Sequence, residues 1–596
     1  MDNQWCPSPF RAFRMTPAAS TLRDRPGPAP AGLPAGAGVP AAKRANFPPL
    51  LPVILTLVVA AIILSVLFAW LFPSAGRTQA LPAARFTDIT AESGIRFVQH
   101  HGPQPSPTTL GGAVAVLDYD GDGRPDLFFV NGAPWPWEEE MAKHVTESSL
   151  VLFHNDGGGR FTDVTSSAGL NVELQGMGAA VGDFDNDGRP DLFVTCVGMN
   201  HLFHNRGHGH FEDVTEPAGV GGAENTWSTG ATWIDLDNDG RLDLVVAHYA
   251  RWPEEVPLAM AFSIADLGRS YGAPAGFIAA LPTVYRNLGD GRFAPMPGAA
   301  GLRTIDPATG LPAAKALAVT PLDANGDGRL DLLFTYHTAE NTLFLNQGDG
   351  TFRKWIPAPN ARNEGASAGL ASASLLALTG RPDADERLAA WQAAAGSPAR
   401  DGFVHLDGKL GAALLDYELD GHLAVFAGGG RAEPDTNKFE GGRDFAASPQ
   451  LLLHRNGWLP APAVGAWDRP VIARGIVAAD LDGDGDDDIV IVQHDGPVIV
   501  LRNDQHSGLP WLRIKPIATR SQPEAGGARV EVHTPRRIQV QTVAPAMGFL
   551  AQSESVLTFG LGEDARVRRI VIHWPSGQRQ ELRPAGLNRT LVIREP

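Results

Sequence analysis

The chain has 596 residues, 43% of them hydrophobic, and a formal net charge of -17 at pH 7. That length exceeds what a single growing core supports, so several domains or a repeat architecture are expected. The acidic balance excludes a phosphate-tracking nucleic-acid surface, which needs clustered Lys and Arg, and two cysteines, Cys6 and Cys196, exclude a disulfide framework.

In chain order, residues 1–47 are rich in Pro, Ala, Gly and Arg without apolar periodicity and read as a disordered cytoplasmic tail. The run VILTLVVAAIILSVLFAWLF, from Val53 to Phe72, carries no charge and is long enough to cross a bilayer as a helix. Arg11, Arg14, Arg23, Arg25, Lys43 and Arg44 precede it, and Arg77 is the first basic residue after it. The positive-inside rule then places the N-terminus in the cytoplasm and the bulk of the chain outside, in the periplasm or at the cell surface. Residues 48–73 are read as a signal anchor. A cleaved signal peptide is the competing reading, disfavoured by the length of the run and by the poor cleavage site at Thr78-Gln79-Ala80.

From about residue 85 to residue 510 one unit recurs, with the core D-x-D/N-x-D-G-x-x-D. Intact copies are DYDGDGRPD, DFDNDGRPD, DLDNDGRLD, DANGDGRLD and DLDGDGDDD, starting at Asp118, Asp183, Asp235, Asp323 and Asp480; DYELDGHLA from Asp416 is degraded. Carboxylates at positions 1, 3 and 5 of a tight loop converge if the chain turns at position 6, where every copy has Gly, and calcium favours such crowded oxygen donors. The expected ligands are Asp118, Asp120, Asp122, the Arg124 carbonyl and Asp126; Asp183, Asp185, Asp187, the Arg189 carbonyl and Asp191; and Asp235, Asp237, Asp239, the Arg241 carbonyl and Asp243. Asp323, Asn325, Asp327, the Arg329 carbonyl and Asp331 make the fourth set, and Asp480, Asp482, Asp484, Asp486 and Asp488 the fifth. An EF-hand is excluded, because position 12 is Phe129, Val194, Val246, Phe334 or Ile491 rather than Glu. One such loop could be a plain polar turn, but five registered copies argue for a cation that relieves the repulsion of the clustered carboxylates.

Each loop lies between two β-forming runs, and L/V-F/Y-x-N followed by F-x-D-V-T supplies two more, so each unit offers four strands, the make-up of a β-propeller blade. The last unit stops at VLRNDQ without its fourth strand, while an orphan fourth strand, RFTDITAESGI from Arg85, stands at the front. Pairing the two would tie the ends of the array together. The long gap from Asp323 to Asp416 leaves room for a blade without a calcium site, or for an insertion containing the helix-like RPDADERLAAWQAAAG from Arg381. Seven blades are therefore favoured, with six as the alternative.

These units resemble FG-GAP/VCBS repeats, which also build the integrin α-subunit propeller, and the whole arrangement resembles the cartilage acidic protein family. From Trp511, WLRIKPIATRSQPEAGGARVEV, GFLAQSESVLTFGLG and VIHWPSGQRQEL are similar to its ASPIC/UnbV domain. Where that pattern has Asn after T-R-S this chain has Gln522, a position to which no role is attached. The expected fold is thus all-β: a propeller over residues 85–510, then a small β-sandwich over 511–596, with one N-terminal transmembrane helix.

The calcium loops occupy one face of such a propeller. The longest connections between second and third strands, Asn131 to Ser149, Tyr249 to Thr283 and Ala427 to Ser448, fall on the other, and loops on a rigid scaffold are where recognition usually resides. Trp135, Trp137, Trp252 and Tyr271 are candidate contacts for a protein or glycan partner on the extracytoplasmic side, against the alternative that they pack within their own loops. His201, His204, His208 and His210 suggest a transition-metal cluster, but they occupy repeat positions filled elsewhere by other residues, which argues against one. No nucleophile elbow, P-loop or HExxH occurs. The expected function is a membrane-anchored binding or adhesion module and not an enzyme; the alternative is an extracytoplasmic propeller enzyme, a polysaccharide lyase or hydrolase. Oligomeric state is not legible.

Overall fold

The computed structural model describes residues 81–100, 111–133, 148–251, 263–264, 268–269, 277–296, 301–355, 411–430 and 446–596, with gaps at 338, 340, 455–457, 466, 506, 545–548, 565 and 585. The predicted cytoplasmic tail, the apolar run, the helix-like segment from Arg381, and Trp135, Trp137, Trp252 and Tyr271 lie outside the described residues. No helix among the described residues is long and apolar enough to cross a membrane.

Leu81–Pro596 form one compact unit. Almost all of its regular structure is strand; the described helices are single turns at Thr90–Ser93 and Thr215–Ala218. Each repeat folds into an antiparallel four-stranded sheet, because two apolar runs flank an aspartate loop that can only turn, and a Gly-rich turn separates the next two. The Asp183 sheet is typical, pairing Gly176–Gly182, Asp191–Cys196, His201–Asn205 and Phe211–Asp213 in that order. Described residues supply six such sheets, one for each aspartate loop, the degraded one included.

The first strands lie side by side in the order Ala412–Leu415, Ala473–Ala479, Ala113–Leu117, Gly176–Gly182, Thr226–Ile234 and Ala316–Leu322. The sheet of the last repeat is therefore followed in space by that of the first. The orphan strand explains how: Ala84–Asp88 pairs antiparallel with Ile499–Asn503 and completes the Asp480 sheet, as expected from the sequence. It is shorter than the sequence suggested. After F-x-D the chain leaves the strand, since the Asp88 and Asp213 carboxylates accept the N–H of Thr90 and Thr215 and start a turn. The step from the Asp323 sheet to the Asp416 sheet spans residues 356–410, where the expected seventh blade falls, outside the described residues.

Residues 511–596 form two facing sheets. Leu557–Gly560, Trp511–Ile517 and Thr590–Arg594 make one; Ile538–Thr542, Arg529–His533, Arg569–His573 and Arg579–Leu582 make the other. Leu512, Ile514, Phe559, Val530, Val532, Ile570, Ile572 and Trp574 fill the space between.

This second domain also sends a segment into the first. Ala551–Gln552 pairs in parallel with Val114 and Ala115, packs against the first strands of the Asp183 and Asp480 sheets, and carries Phe549 and Leu550 into a core that reaches Leu317. Gln552 exchanges both amide hydrogen bonds with the Val181 backbone, at 2.8 and 3.0 Å, and Ser553 accepts the Ala478 N–H. The small residues of the first strands make this possible, since a Cβ at Gly475 would come 3.1 Å from the Leu550 carbonyl. Leu550 is 3% exposed. Leu550→Ala is expected to cost about 2–5 kcal/mol of unfolding free energy, read from denaturant midpoints of the full chain.

Candidate metal centres

Backbone geometry is common to all six loops. Position 6 is Gly with positive φ, and position 4 is also left-handed, at Gly121, Asn186, Asn238, Gly326, Leu419 and Gly483. The N–H of each position-6 Gly donates to the first aspartate, at 2.8–3.2 Å from Gly123, Gly188, Gly240, Gly328, Gly421 and Gly485. The position-7 N–H donates to the side chain at position 5, as from Arg124 to Asp122 at 2.8 Å. Two tight turns thus fold the carboxylates inward, where Asp118, Asp120 and Asp122 converge, as do Asp183, Asp185 and Asp191, and Asp235, Asp237 and Asp239, with donor oxygens within 4.8 Å of one another in each group.

The ninth-position aspartates are the most buried members; Asp126, Asp191 and Asp331 are 0% exposed. Both oxygens of each are engaged. In the Asp183 loop, Asp191 accepts the N–H of Asn205 at 2.7 Å and of Phe184 at 3.2 Å, and the pattern recurs at Asp126, Asp243, Asp331 and Asp488. Burial, reinforced by neighbouring aspartates, pushes the Asp126 carboxyl up to about 8 and Asp191 to about 9, with Asp243 and Asp331 at about 7. These shifts measure how poorly the loops tolerate their own negative charge. Asp118 Oδ1, Asp237 Oδ1 and Asp486 Oδ1 are buried without a hydrogen-bond partner. Orphaned carboxylate oxygens in a convergent oxygen set fit a hard divalent cation.

The position-7 arginines also engage the loops through their side chains. The side chains of Arg124, Arg189, Arg241 and Arg329 ion-pair with the position-5 aspartates of their own loops. The x of L-F-x-N, a variable position in the sequence, also faces the loop: His154 lies 3.4 Å from Asp120 and Asp126, His204 lies 3.1 Å from Asp185, and Arg286 pairs with Asp237. His201 pairs instead with Asp213.

Sequence reading missed two groups of residues. One is the Asn of L-F-x-N, whose recurrence in the five intact copies, with His454 in the degraded one, was the available signal. Its Nδ2 donates to the position-8 carbonyl of its own loop and to the position-2 carbonyl of the preceding sheet's loop. Asn205 reaches Pro190 and Tyr119, Asn287 reaches Leu242 and Phe184, Asn346 reaches Leu330 and Leu236, and Asn155 reaches Pro125 and Leu481. Neighbouring loops are stitched together through this one amide. The other group belongs to the C-terminal domain, which covers the aspartate-loop face: Arg513 lies 3.1 Å from Asp480 and pairs with Glu554, Lys515 lies 3.3 Å from Asp118, and Trp511 packs on Gly485. Between the domains lies a cavity of about 450 Å³ lined by Asp118, Asp183, Arg513, Lys515, Glu524 and Glu554.

Four-stranded sheets joined through an aspartate loop and arrayed around their first strands define an FG-GAP-type repeat protein. The FG-GAP-like repeat profile matches residues 118–194, 183–246 and 323–373, and the ASPIC and UnbV profile matches 518–596. Cartilage acidic protein 1 of Homo sapiens and of Mus musculus are each 32% identical over 108 residues, which is 17% of this chain. The matched segment spans only 16% of the length of those relatives. The chain thus carries FG-GAP-like repeats followed by an ASPIC and UnbV domain. Among solved structures, an Agrocybe aegerita lectin that recognises non-reducing terminal N-acetylglucosamine is 16% identical, covering 67% of this chain and 82% of its own, with a TM-score of 0.31. The fucose-specific lectin of Aleuria aurantia is 10% identical over 66% of this chain and 96% of its own, also with a TM-score of 0.31.

Proposed function

We propose that the chain is a calcium-stabilised extracytoplasmic binding module, a closed propeller of seven blades held at the membrane by residues 48–73, whose partner engages the face opposite the aspartate loops. The calcium reading rests on the convergent carboxylates of the Asp118, Asp183 and Asp235 loops, on the turn geometry that the other loops share with them, and on the orphaned oxygens of Asp118, Asp237 and Asp486. In each loop the side chains at positions 1, 3, 5 and 9 and the carbonyl at position 7 would hold the ion, which would supply the charge that the buried aspartates lack; the fifth set is as read from the sequence.

The choice of face is supported by the C-terminal domain. It covers the loop face and, through Phe549 to Ser553, the space along the first strands, so neither is left for a large partner. What remains is the face carrying the long connections, with Trp135, Trp137, Trp252 and Tyr271 as the proposed contacts. FG-GAP repeats suggest an extracellular interaction module, and the matched families are not enzyme families. A propeller lyase or hydrolase would need a substrate site along the axis, where this chain places its own apolar segment.

Immobilised glycans and cell-surface protein extracts, presented to the full chain, test this. Binding should occur in calcium and fall at least tenfold when residues 131–149 and 249–283 are replaced by short turns. Retained binding after both replacements would sink the assignment of the face, and turnover of a polysaccharide would favour the enzyme.

A further inference from the structure

The degraded loop at Asp416 keeps the shape of the other five without their donors. Its Gly421 N–H still donates to Asp416 at 2.8 Å and its His422 N–H to Asp420 at 2.9 Å. Yet position 3 is Glu418 and position 9 is Ala424, so the closing carboxylate is gone. The fold there is also under greater strain than elsewhere. Position 4 is Leu419 at φ 53, where other loops use Gly or Asn, and a Cβ-bearing apolar side chain is disfavoured in the left-handed region.

Contacts from the C-terminal domain offset this. Gly560 N–H donates to Asp416 Oδ2 at 2.9 Å, and Gly562 N–H donates to the Leu419 carbonyl at 3.0 Å. The Arg537 guanidinium donates to the Asp420 carbonyl and lies against Gly421. Contact is close enough that a Cβ on Gly560 would overlap the Leu419 backbone. Asp416 itself is 2% exposed, so its charge needs a partner inside the protein.

We propose that at this loop Arg537 takes the place of a metal ion, turning a former cation site into a metal-independent latch that holds the C-terminal domain on the propeller. The guanidinium brings positive charge beside the loop and donates to the Asp420 backbone carbonyl, and the Gly560 and Gly562 N–H groups hold Asp416 and the Leu419 turn. The latch rests on the calcium reading only for the contrast with the other five loops. Asp416 Oδ1 has no hydrogen-bond partner, so a sixth ion would have an oxygen to use, and the experiment can decide against the latch.

The full chain, wild type and Arg537→Met, is digested with a protease that cuts near residues 505–510, in 5 mM calcium and separately in chelator, and bound calcium is counted by equilibrium dialysis. Release of the C-terminal domain should be at least tenfold faster in Arg537→Met, by a similar factor in both conditions, with Arg537→Lys intermediate. Asp416→Asn should leave the calcium count of the wild type unchanged. Loss of one calcium on Asp416→Asn, an Arg537→Met effect abolished by calcium, or unchanged cleavage would each overturn the latch. A wild type that binds no calcium would instead refute the calcium reading, leaving the Arg537 comparison in chelator to stand or fall by itself.

Discussion

Removing calcium is expected to lower the melting temperature of the full chain by about 10 °C. Five sites of extracellular type, each with a dissociation constant of about 0.1–1 mM, stabilise by roughly 1.4–2.7 kcal/mol apiece at 10 mM ion. Spread over the unfolding entropy of some five hundred residues, at roughly 2 cal/mol/K each, the sum shifts the transition by about a degree per kcal/mol. Scanning calorimetry in calcium and in chelator measures it. A shift below about 2 °C, with no calcium bound at equilibrium, would reduce the aspartate loops to turns.

The pH dependence sharpens this result, because the fall in stability expected of the cation-free protein should be absent from the loaded one. Without the ion, burial raises the folded-state pKa of Asp126 to about 8, Asp191 to about 9, and Asp243 and Asp331 to about 7, all above the unfolded value of 3.8. Between those limits the folded state binds more protons than the unfolded one, so stability contributed by these groups is present at low pH and lost as pH rises through the folded values. In chelator the melting temperature should therefore fall from pH 5 towards pH 9. In saturating calcium the ion replaces the protons, and its stabilising effect should grow over the same window. Parallel profiles in the two conditions would contradict ion binding at these carboxylates.

Replacing the closing aspartate has the second large effect. Asp191→Ala removes an ion ligand and leaves the N–H groups of Asn205 and Phe184 without their acceptor in a site that is 0% exposed. At about 1–3 kcal/mol for each buried donor left unmade, the loss is about 4 kcal/mol even in chelator. Asp191→Asn, which keeps the shape and one acceptor, should cost less in chelator while still abolishing the calcium response of that loop. Denaturant titration separates the two contributions. If Asp191→Ala lost less than about 1 kcal/mol in chelator, the aspartate would be a ligand alone and not also a structural acceptor.

The repeat and its strands were legible because each is local, apolar runs on either side of a glycine turn specifying the pairing within a few residues, and the distant swap of Ala84–Asp88 into the last sheet was legible because the last unit lacks the fourth strand that stands alone at the front. The aspartates were legible for the same reason, since positions 1, 3, 5 and 9 meet through the loop's own turns. Contacts distant in sequence were not. Nothing around Phe549 and Leu550 marks them as core of another domain, because an apolar pair beside small residues reads alike in any sandwich. Arg513, Lys515 and Arg537 were hidden among the many arginines of that region, and only the fold brings Lys515 to Asp118 and Arg537 to Asp420, each more than a hundred residues away, and Arg513 to Asp480 across the domain boundary. What the variable residue of L-F-x-N touches was not legible either: His154, His204 and Arg286 each present a basic group to the loop.

The segment from Phe549 to Ser553 also constrains how the chain is made. Val114 and Ala115 find their parallel partner in Ala551 and Gln552, and Phe86 finds Asn503, so the earliest strands to be synthesised are completed by the last. Such distant pairings fold slowly, since each must close a loop of several hundred residues before any contact rewards it. Until the C-terminal domain emerges, the first strands present an unfilled apolar seam and an unpaired edge, both prone to aggregation. Shortening this protein from its C-terminus would thus remove part of the first repeat's core along with the C-terminal domain, and the early repeats must be kept apart until that domain has been made.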